Sequence, residues 1–214
     1  MDRITHIFWD NDGILVNTED LYFEATRETL AEHGIELTLQ IYMETFLRQS
    51  VGIAYFKDEF SLTEPDLARI RSVRDERYTR YLHTQAPLMP GVHETLQTLG
   101  KHFTMAVVTS TLREHLMILH EMHGLCDYFD LNVTNEDFTH SKPHPEPYLT
   151  AMEKLGVSPE QCIAIEDSER GFRAAREAGI ACIAIPTPLT QHGDFTDARA
   201  ILGNLRELQS LLLD

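Results

Sequence analysis

The chain has 214 residues, 43% hydrophobic and 24% charged, the balance of a soluble globular protein with room for one domain and an insertion, or for two small domains. Its formal net charge of -16 repels phosphate backbones and anionic lipids, so neither nucleic acid nor a membrane is an expected partner. An acidic chain that handles a phosphate has to gather positive charge locally, from a metal, a lysine or helix N-termini.

The three cysteines, Cys126, Cys162 and Cys182, match no zinc spacing, and their odd number argues against a disulfide framework. They read as small hydrophobes in a reducing compartment. The opening stretch MDRITHIFWD has no apolar run long enough for a signal peptide, and no run approaches a membrane span. A cytoplasmic protein is expected.

In chain order, Arg3–Trp9 is a short apolar run that ends in Asp10-Asn11-Asp12-Gly13, a buried strand followed by a sharp turn. Thr18, followed by Glu19 and Asp20, predicts an N-cap with acids in the first helical turn. That helix should stop at Gly34. Thr63, Pro65 and Asp66 open another, with Leu67, Ile70, Val73, the stem of Arg77, Tyr78 and Tyr81 near helical spacing. From Val16 to about Ala86 the patterns are helical throughout.

After Pro87 the pattern changes. Val92, Leu96 and Leu99 mark a short helix closed by Gly100. Phe103–Val108 predicts a strand ending at Thr109-Ser110, and Leu112–His123 a helix. Tyr128–Val133 predicts a strand, Pro145–Leu155 a helix, and Cys162–Ile165 a strand ending at Glu166-Asp167-Ser168. A helix through Gly171-Phe172-Arg173-Ala174-Ala175 stops at Gly179. Ala181–Ile185 is a last strand and Leu205–Leu213 a last helix. Near-continuous apolar strands alternating with helices imply a parallel sheet covered on both faces. The expected fold is therefore α/β: a Rossmann-like three-layer core formed by residues 1–15 and 87–214, with an inserted α-helical cap over 16–86.

Ligands of such sheets bind beyond the carboxyl ends of the strands. Asp10, Asp12, Thr109, Ser110, Glu166 and Asp167 stand at those ends, with Lys142 in a loop nearby. Two aspartates in one turn, joined by acids from another strand, suit a hard cation such as Mg²⁺, which takes oxygen ligands. A carboxylate can attack phosphorus, and a second one can protonate a leaving group and then activate water. A hydroxyl and a lysine can hold the transferring oxygens as charge redistributes over them.

Asp10-x-Asp12-Gly13-x-Leu15, the strand end Thr109-Ser110, Lys142-Pro143 and Glu166-Asp167-Ser168-x-x-Gly171 resemble the four ordered motifs of the haloacid dehalogenase-like hydrolases. Asn17-Thr18-Glu19, Gly156-Val157-Ser158-Pro159-Glu160 and Ala174-Ala175-x-x-Ala178-Gly179 are similar to the branch with a helical cap. That branch includes β-phosphoglucomutase and phosphoglycolate phosphatase. The resemblance implies a nucleophile and metal ligand in Asp10. It implies an acid/base in Asp12, whose backbone carbonyl also ligates Mg²⁺. Thr109, with neighbouring amides at Ser110, would bind the phosphoryl group. Lys142 would neutralise Asp10 and the phosphate, Asp167 would hold the metal, with Glu166 as a direct ligand or one acting through water, and Thr18 matches a small hydroxyl residue at the cap hinge.

The chain departs from the family's pattern in places. Asn17 replaces a usual Asp. Asn11 is a polar spacer, expected to point away from the site. Tyr22 stands where the mutase has a histidine. The cap segment Leu47–Gly52 lacks a clear lysine-glycine pair, leaving Arg48 as the candidate substrate contact. His140 and His144, which flank Lys142, read as surface residues, and Arg113 as either a site residue or a solvated one. The expected function is thus an Mg²⁺-dependent phosphatase acting on a small phosphorylated metabolite through an aspartyl-phosphate, as a monomer or weak dimer. A phosphomutase is disfavoured by Tyr22, a dehalogenase by Asp12, and a silent binding module by the intact motifs.

Overall fold

The computed structural model describes residues 4–49 and 51–213. The chain parts into two compact units. One runs to Asn17 and resumes at Pro87; the other is Thr18–Ala86. The division thus falls beyond the expected Leu15/Val16 boundary. Val16 forms a bridge with Leu88, and the Asn17 amide donates to the Pro87 carbonyl at 2.9 Å, which ties both residues to the first unit.

The first unit contains β1 (His6–Trp9), α4 (Val92–Leu99), β2 (Thr104–Val108), α5 (Arg113–His123), β3 (Leu131–Val133), α6 (Glu146–Leu155), β4 (Cys162–Glu166), α7 (Glu169–Glu177), β5 (Ala181–Ala184), β6 (Ala200–Ile201) and α8 (Glu207–Leu213). The strands form one parallel sheet in the order β3-β2-β1-β4-β5-β6. Helices cover both of its faces, a Rossmann-like three-layer arrangement. Along β1, β2 and β4 nearly every residue is buried, as a doubly covered sheet requires. Phe8, Ala106, Val108, Ala164, Cys182 and Ala184 share a core with Tyr148, Ala151 and Met152 of α6 and Phe172, Ala174 and Ala175 of α7. The alternate residues Ile7, Trp9, Met105, Val107, Ile163 and Ile165 are buried on the opposite face. Each large side chain so buried contributes about 1.5–3 kcal/mol.

Register decides where the chemistry falls. Trp9 lies beside Val107 on one side and Ile165 on the other. The residues that follow, Asp10, Val108-Thr109 and Glu166, therefore emerge together at one sheet edge. After β3 the chain returns to the other side of β1, so this edge is also a topological switch point.

The second unit holds α1 (Glu19–Ala31), α2 (Leu39–Tyr42) running into a π-helical turn (Met43–Arg48), a 3-10 turn (Gly52–Phe56) and α3 (Glu64–Gln85). Leu30, Ile35, Leu37, Tyr42, Phe46, Ile53, Phe56, Leu67 and Ile70 form its core. Thr63 and Asp66 cap α3 reciprocally. The buried stripe of α3 is Leu67, Ile70, Arg74, Tyr78 and Leu82, rotated from the expected Val73 and Tyr81. Arg74 is admitted because its guanidinium sits 4.6 Å above the Tyr22 ring.

Thr18 does not cap α1 with its side chain. Its backbone is already helical, and its carbonyl accepts the Tyr22 amide at 3.0 Å. The strand expected over Tyr128–Val133 is reduced to Leu131–Val133, because Cys126–Tyr128 is a 3-10 turn. The two-residue edge strand β6 escaped notice, being too short to show a period. Arg3 lies outside the described residues. Among those described, no helix is long and apolar enough to cross a membrane.

Candidate active site

Asp10 follows β1 directly, and its amide donates to the Ile165 carbonyl at 2.9 Å. The chain then turns sharply. The Asn11 carbonyl accepts the amides of Leu15 and Val16, and Gly13 donates back to Val16. Gly13 has φ +78°, and a β-carbon there would come within 2.5 Å of Asp167 Oδ2. Glycine is needed both for the turn and for the close approach of the β4 loop.

Lys142 is the centre of the site. Its side chain is almost wholly buried, and Nζ donates to Asp10 Oδ1 at 2.9 Å, Glu166 Oε1 at 2.6 Å and the Val108 carbonyl at 2.7 Å. An ammonium has three donors, and all three are used. Burial alone would lower its pKa, but the carboxylates of Asp10 and Glu166 outweigh burial and hold it above the ordinary lysine value. The Asp10 carboxyl is pushed up to about 7, first by burial and then by the negative charge of Glu166, with Lys142 opposing.

Asp12 occupies a different environment. Its Oδ2 accepts hydroxyl hydrogen bonds from Thr111 at 2.6 Å and Thr109 at 3.2 Å. The Thr111 amide in turn donates to the Thr109 hydroxyl at 3.0 Å. The two motif aspartates are thus sorted, one against a lysine and the other against hydroxyls.

Asp10, Glu166 and Asp167 bring carboxylate oxygens within 4.8 Å of one another. Glu166 Oε1 is satisfied by Lys142 and by the Tyr148 hydroxyl. Glu166 Oε2 is buried and has no hydrogen-bond partner among the described residues. A buried carboxylate oxygen without a donor is costly unless a cation meets it. Three clustered carboxylates, two of them paired with Lys142 and offering only oxygen, fit a hard divalent ion such as Mg²⁺. The Asp12 carboxylate is not one of the three clustered groups.

The other expected residues have their own settings. Ser110 accepts a hydrogen bond from the Ser141 hydroxyl at 2.7 Å. In the second unit Thr18 is buried, while Arg48 is exposed and pairs with Glu44 at 3.4 Å. Arg113 is engaged by Asp137 at 2.6 Å, a surface ion pair. Asn11 turns its side chain to His120, whose Nε2 lies 3.1 Å from Asn11 Oδ1. Sequence reasoning missed Thr111 on Asp12, Tyr148 on Glu166, and Thr190, whose hydroxyl donates to Asp167 at 3.2 Å. Thr111 stands beside the second motif, and its hydroxyl type was the available signal. The other two carried none.

The description haloacid dehalogenase-like hydrolase matches residues 7–185, and the chain belongs to that family. It is an enzyme, a phosphatase of the family. A phosphorylated carbohydrates phosphatase of Thermotoga maritima is 33% identical over 186 residues, 81% of either chain. The crystal structure of CbbY from Rhodobacter sphaeroides in complex with phosphate is similar, with a TM-score of 0.83 and 30% identity over 96% of both chains. A CbbY mutant in complex with xylulose-(1,5)bisphosphate has a TM-score of 0.84 and 29% identity over the same share.

Proposed function

We propose that the chain hydrolyses phosphomonoesters of small sugar-type metabolites, with Mg²⁺, through an aspartyl-phosphate on Asp10. The observation that carries this reading is the sorting of the two motif aspartates, Asp10 onto Lys142 and Asp12 onto Thr109 and Thr111. The phosphorylated-carbohydrate and bisphosphate names of the relatives support the substrate class.

Asp10, Glu166 and Asp167 would hold the metal, with the backbone carbonyl of Asp12. Bound there, Mg²⁺ supplies the positive charge that lets a phosphate approach a carboxylate. An Asp10 oxygen attacks phosphorus in line, and the bond to the leaving oxygen breaks as Asp12 delivers its proton. Asp12, now ionised, takes a proton from water. The resulting hydroxide displaces Asp10 from phosphorus and releases phosphate. Lys142 favours the ionised form of Asp10 and aligns it, and the Thr109 hydroxyl with the Ser110 amide binds the phosphoryl oxygens. Residues Thr18–Ala86 act as a cap that excludes water and selects the leaving group, with Thr18 at its hinge and Arg48 as a substrate contact. Tyr22, edge-on to Tyr78 and under Arg74, carries no imidazole for a mutase. The enzyme works in the cytoplasm as a monomer or weak dimer.

The test is phosphate release from a panel of phosphoglycolate, hexose phosphates, pentose bisphosphates and p-nitrophenyl phosphate, with and without Mg²⁺. Asp10→Asn should lower turnover by about a thousandfold or more. Normal turnover in that variant would refute the mechanism.

A further inference from the structure

His140, His144 and Glu146 bring one potential ligand atom each to within 4.8 Å of one another. They lie outside the carboxylate cluster, on the surface of the loop that delivers Lys142 and on the first turn of α6. We propose that these three side chains form a second metal site, for a borderline divalent cation such as Zn²⁺ or Ni²⁺.

The donor set argues for that class of metal. Two imidazoles and one carboxylate suit zinc, nickel, cobalt or copper, whereas Mg²⁺ prefers oxygen alone. The chain therefore offers two sites of different chemistry.

The anchor of the site is already built. Glu146 Oε1 accepts the Thr139 amide at 2.8 Å, and Oε2 accepts the His140 amide at 2.9 Å. These backbone bonds, with the His140 side chain, hold the carboxyl below its ordinary range and keep it ionised. His140 Nδ1 lies 2.6 Å from Oε2 and His144 Nδ1 3.8 Å from the same oxygen, and the two rings have centroids 4.7 Å apart. Zinc bonds of 2.0–2.1 Å place neighbouring tetrahedral ligand atoms about 3.3 Å apart. The His140 edge has to open by about 0.7 Å and the His144 edge to close by about 0.5 Å, given those bond lengths. The imidazoles are free to make that adjustment, with side chains 63% and 50% exposed, while Glu146 stays fixed by the backbone. His144 Nδ1 accepts the Glu146 amide at 3.2 Å, so that nitrogen carries a lone pair, which a metal would take in place of this long contact. Three protein ligands leave the remaining positions to water.

The test is calorimetric titration of Zn²⁺ into the full chain in excess Mg²⁺, repeated with His140→Ala, His144→Ala and the double variant. Copper EPR of the same proteins reads nitrogen coupling from imidazole. The expected result is one zinc equivalent in the wild type that weakens about 10–100-fold in each single variant and is lost in the double variant. The Asp10→Asn enzyme should keep that equivalent, along with the nitrogen coupling. Zinc stoichiometry and affinity unchanged in the double variant would overturn the site, as would wild-type binding that Asp10→Asn alone abolishes.

Discussion

Gly171 faces Glu166 so closely that a β-carbon on residue 171 would lie 1.8 Å from Glu166 Oε2. The glycine of the fourth motif therefore makes room for the one buried carboxylate oxygen that lacks a hydrogen-bond partner among the described residues. Gly171→Ala should push Glu166 off the cluster. The expected outcome is at least about a tenfold rise in the Mg²⁺ concentration needed for half-maximal activity, a loss typical of disturbed metal support. Circular dichroism should show the fold retained.

Thr111 donates the shorter of the two hydroxyl bonds to Asp12. A hydrogen bond to a charged group contributes about 1.5–3 kcal/mol, so Thr111→Val should cost about 10–100-fold in kcat. Thr111→Ser should recover most of it. The loss should be largest on alkyl phosphates and smallest on p-nitrophenyl phosphate, whose leaving group needs little protonation. An equal loss on both would remove Thr111 from the acid's support.

Metal binding should stabilise the fold by mass action. At Mg²⁺ a hundred times its Kd the gain is about 2.7 kcal/mol, visible as a rise in Tm that EDTA reverses. Asp167→Asn should abolish that rise and leave the metal-free Tm little changed. A Tm rise of full size in the variant would place the ion elsewhere.

His120 gives a pH dependence of calculable sign. It is buried against Asn11 and Phe129, and burial lowers its pKa to about 4. An unfolded histidine titrates near 6.5, so between about pH 6.5 and 4 the unfolded chain binds a proton that the folded one refuses. Stability is full above 6.5 and falls as pH drops, by about 3 kcal/mol at pH 4. The raised Asp10 carboxyl titrates over an overlapping range with the opposite sign. Comparison with His120→Gln cancels that contribution, since both proteins keep Asp10. The stability difference between the two should therefore shift against the wild type as pH falls. A constant difference would mean that His120 titrates normally.

The parts of the site legible in the sequence are those written at strand ends. Asp10, Asp12, Thr109, Glu166 and Asp167 each follow or close a short apolar run, so local pattern placed them at one edge. Lys142 was legible only as a loop residue near that edge, because nothing local brings its ammonium between Asp10 and Glu166. Tyr148 and Thr190 were illegible for the same reason: each reaches its carboxylate from a distant segment, and tyrosine or threonine there reads as ordinary packing. Arg74 was absent from the expected stripe of α3 because nothing local shows that Tyr22, from another helix, supplies an aromatic face for it.

The paired backbone of Val16–Asn17 and Pro87–Leu88 has an evolutionary consequence. Residues Thr18–Ala86 leave and rejoin the sheet unit through a short stem, in which the Asn17 amide donates to the Pro87 carbonyl and the Met89 amide to the Leu15 carbonyl, each at 2.9 Å. Closing such an excursion costs free energy that grows only with the logarithm of its length, about 0.6 kcal/mol per doubling. Insertions, deletions and wholesale replacement between those two points therefore leave the register of β1 with β2 and β4 untouched. On the proposed reading, selection can change which metabolite is accepted while the carboxylates at the sheet edge remain as they are.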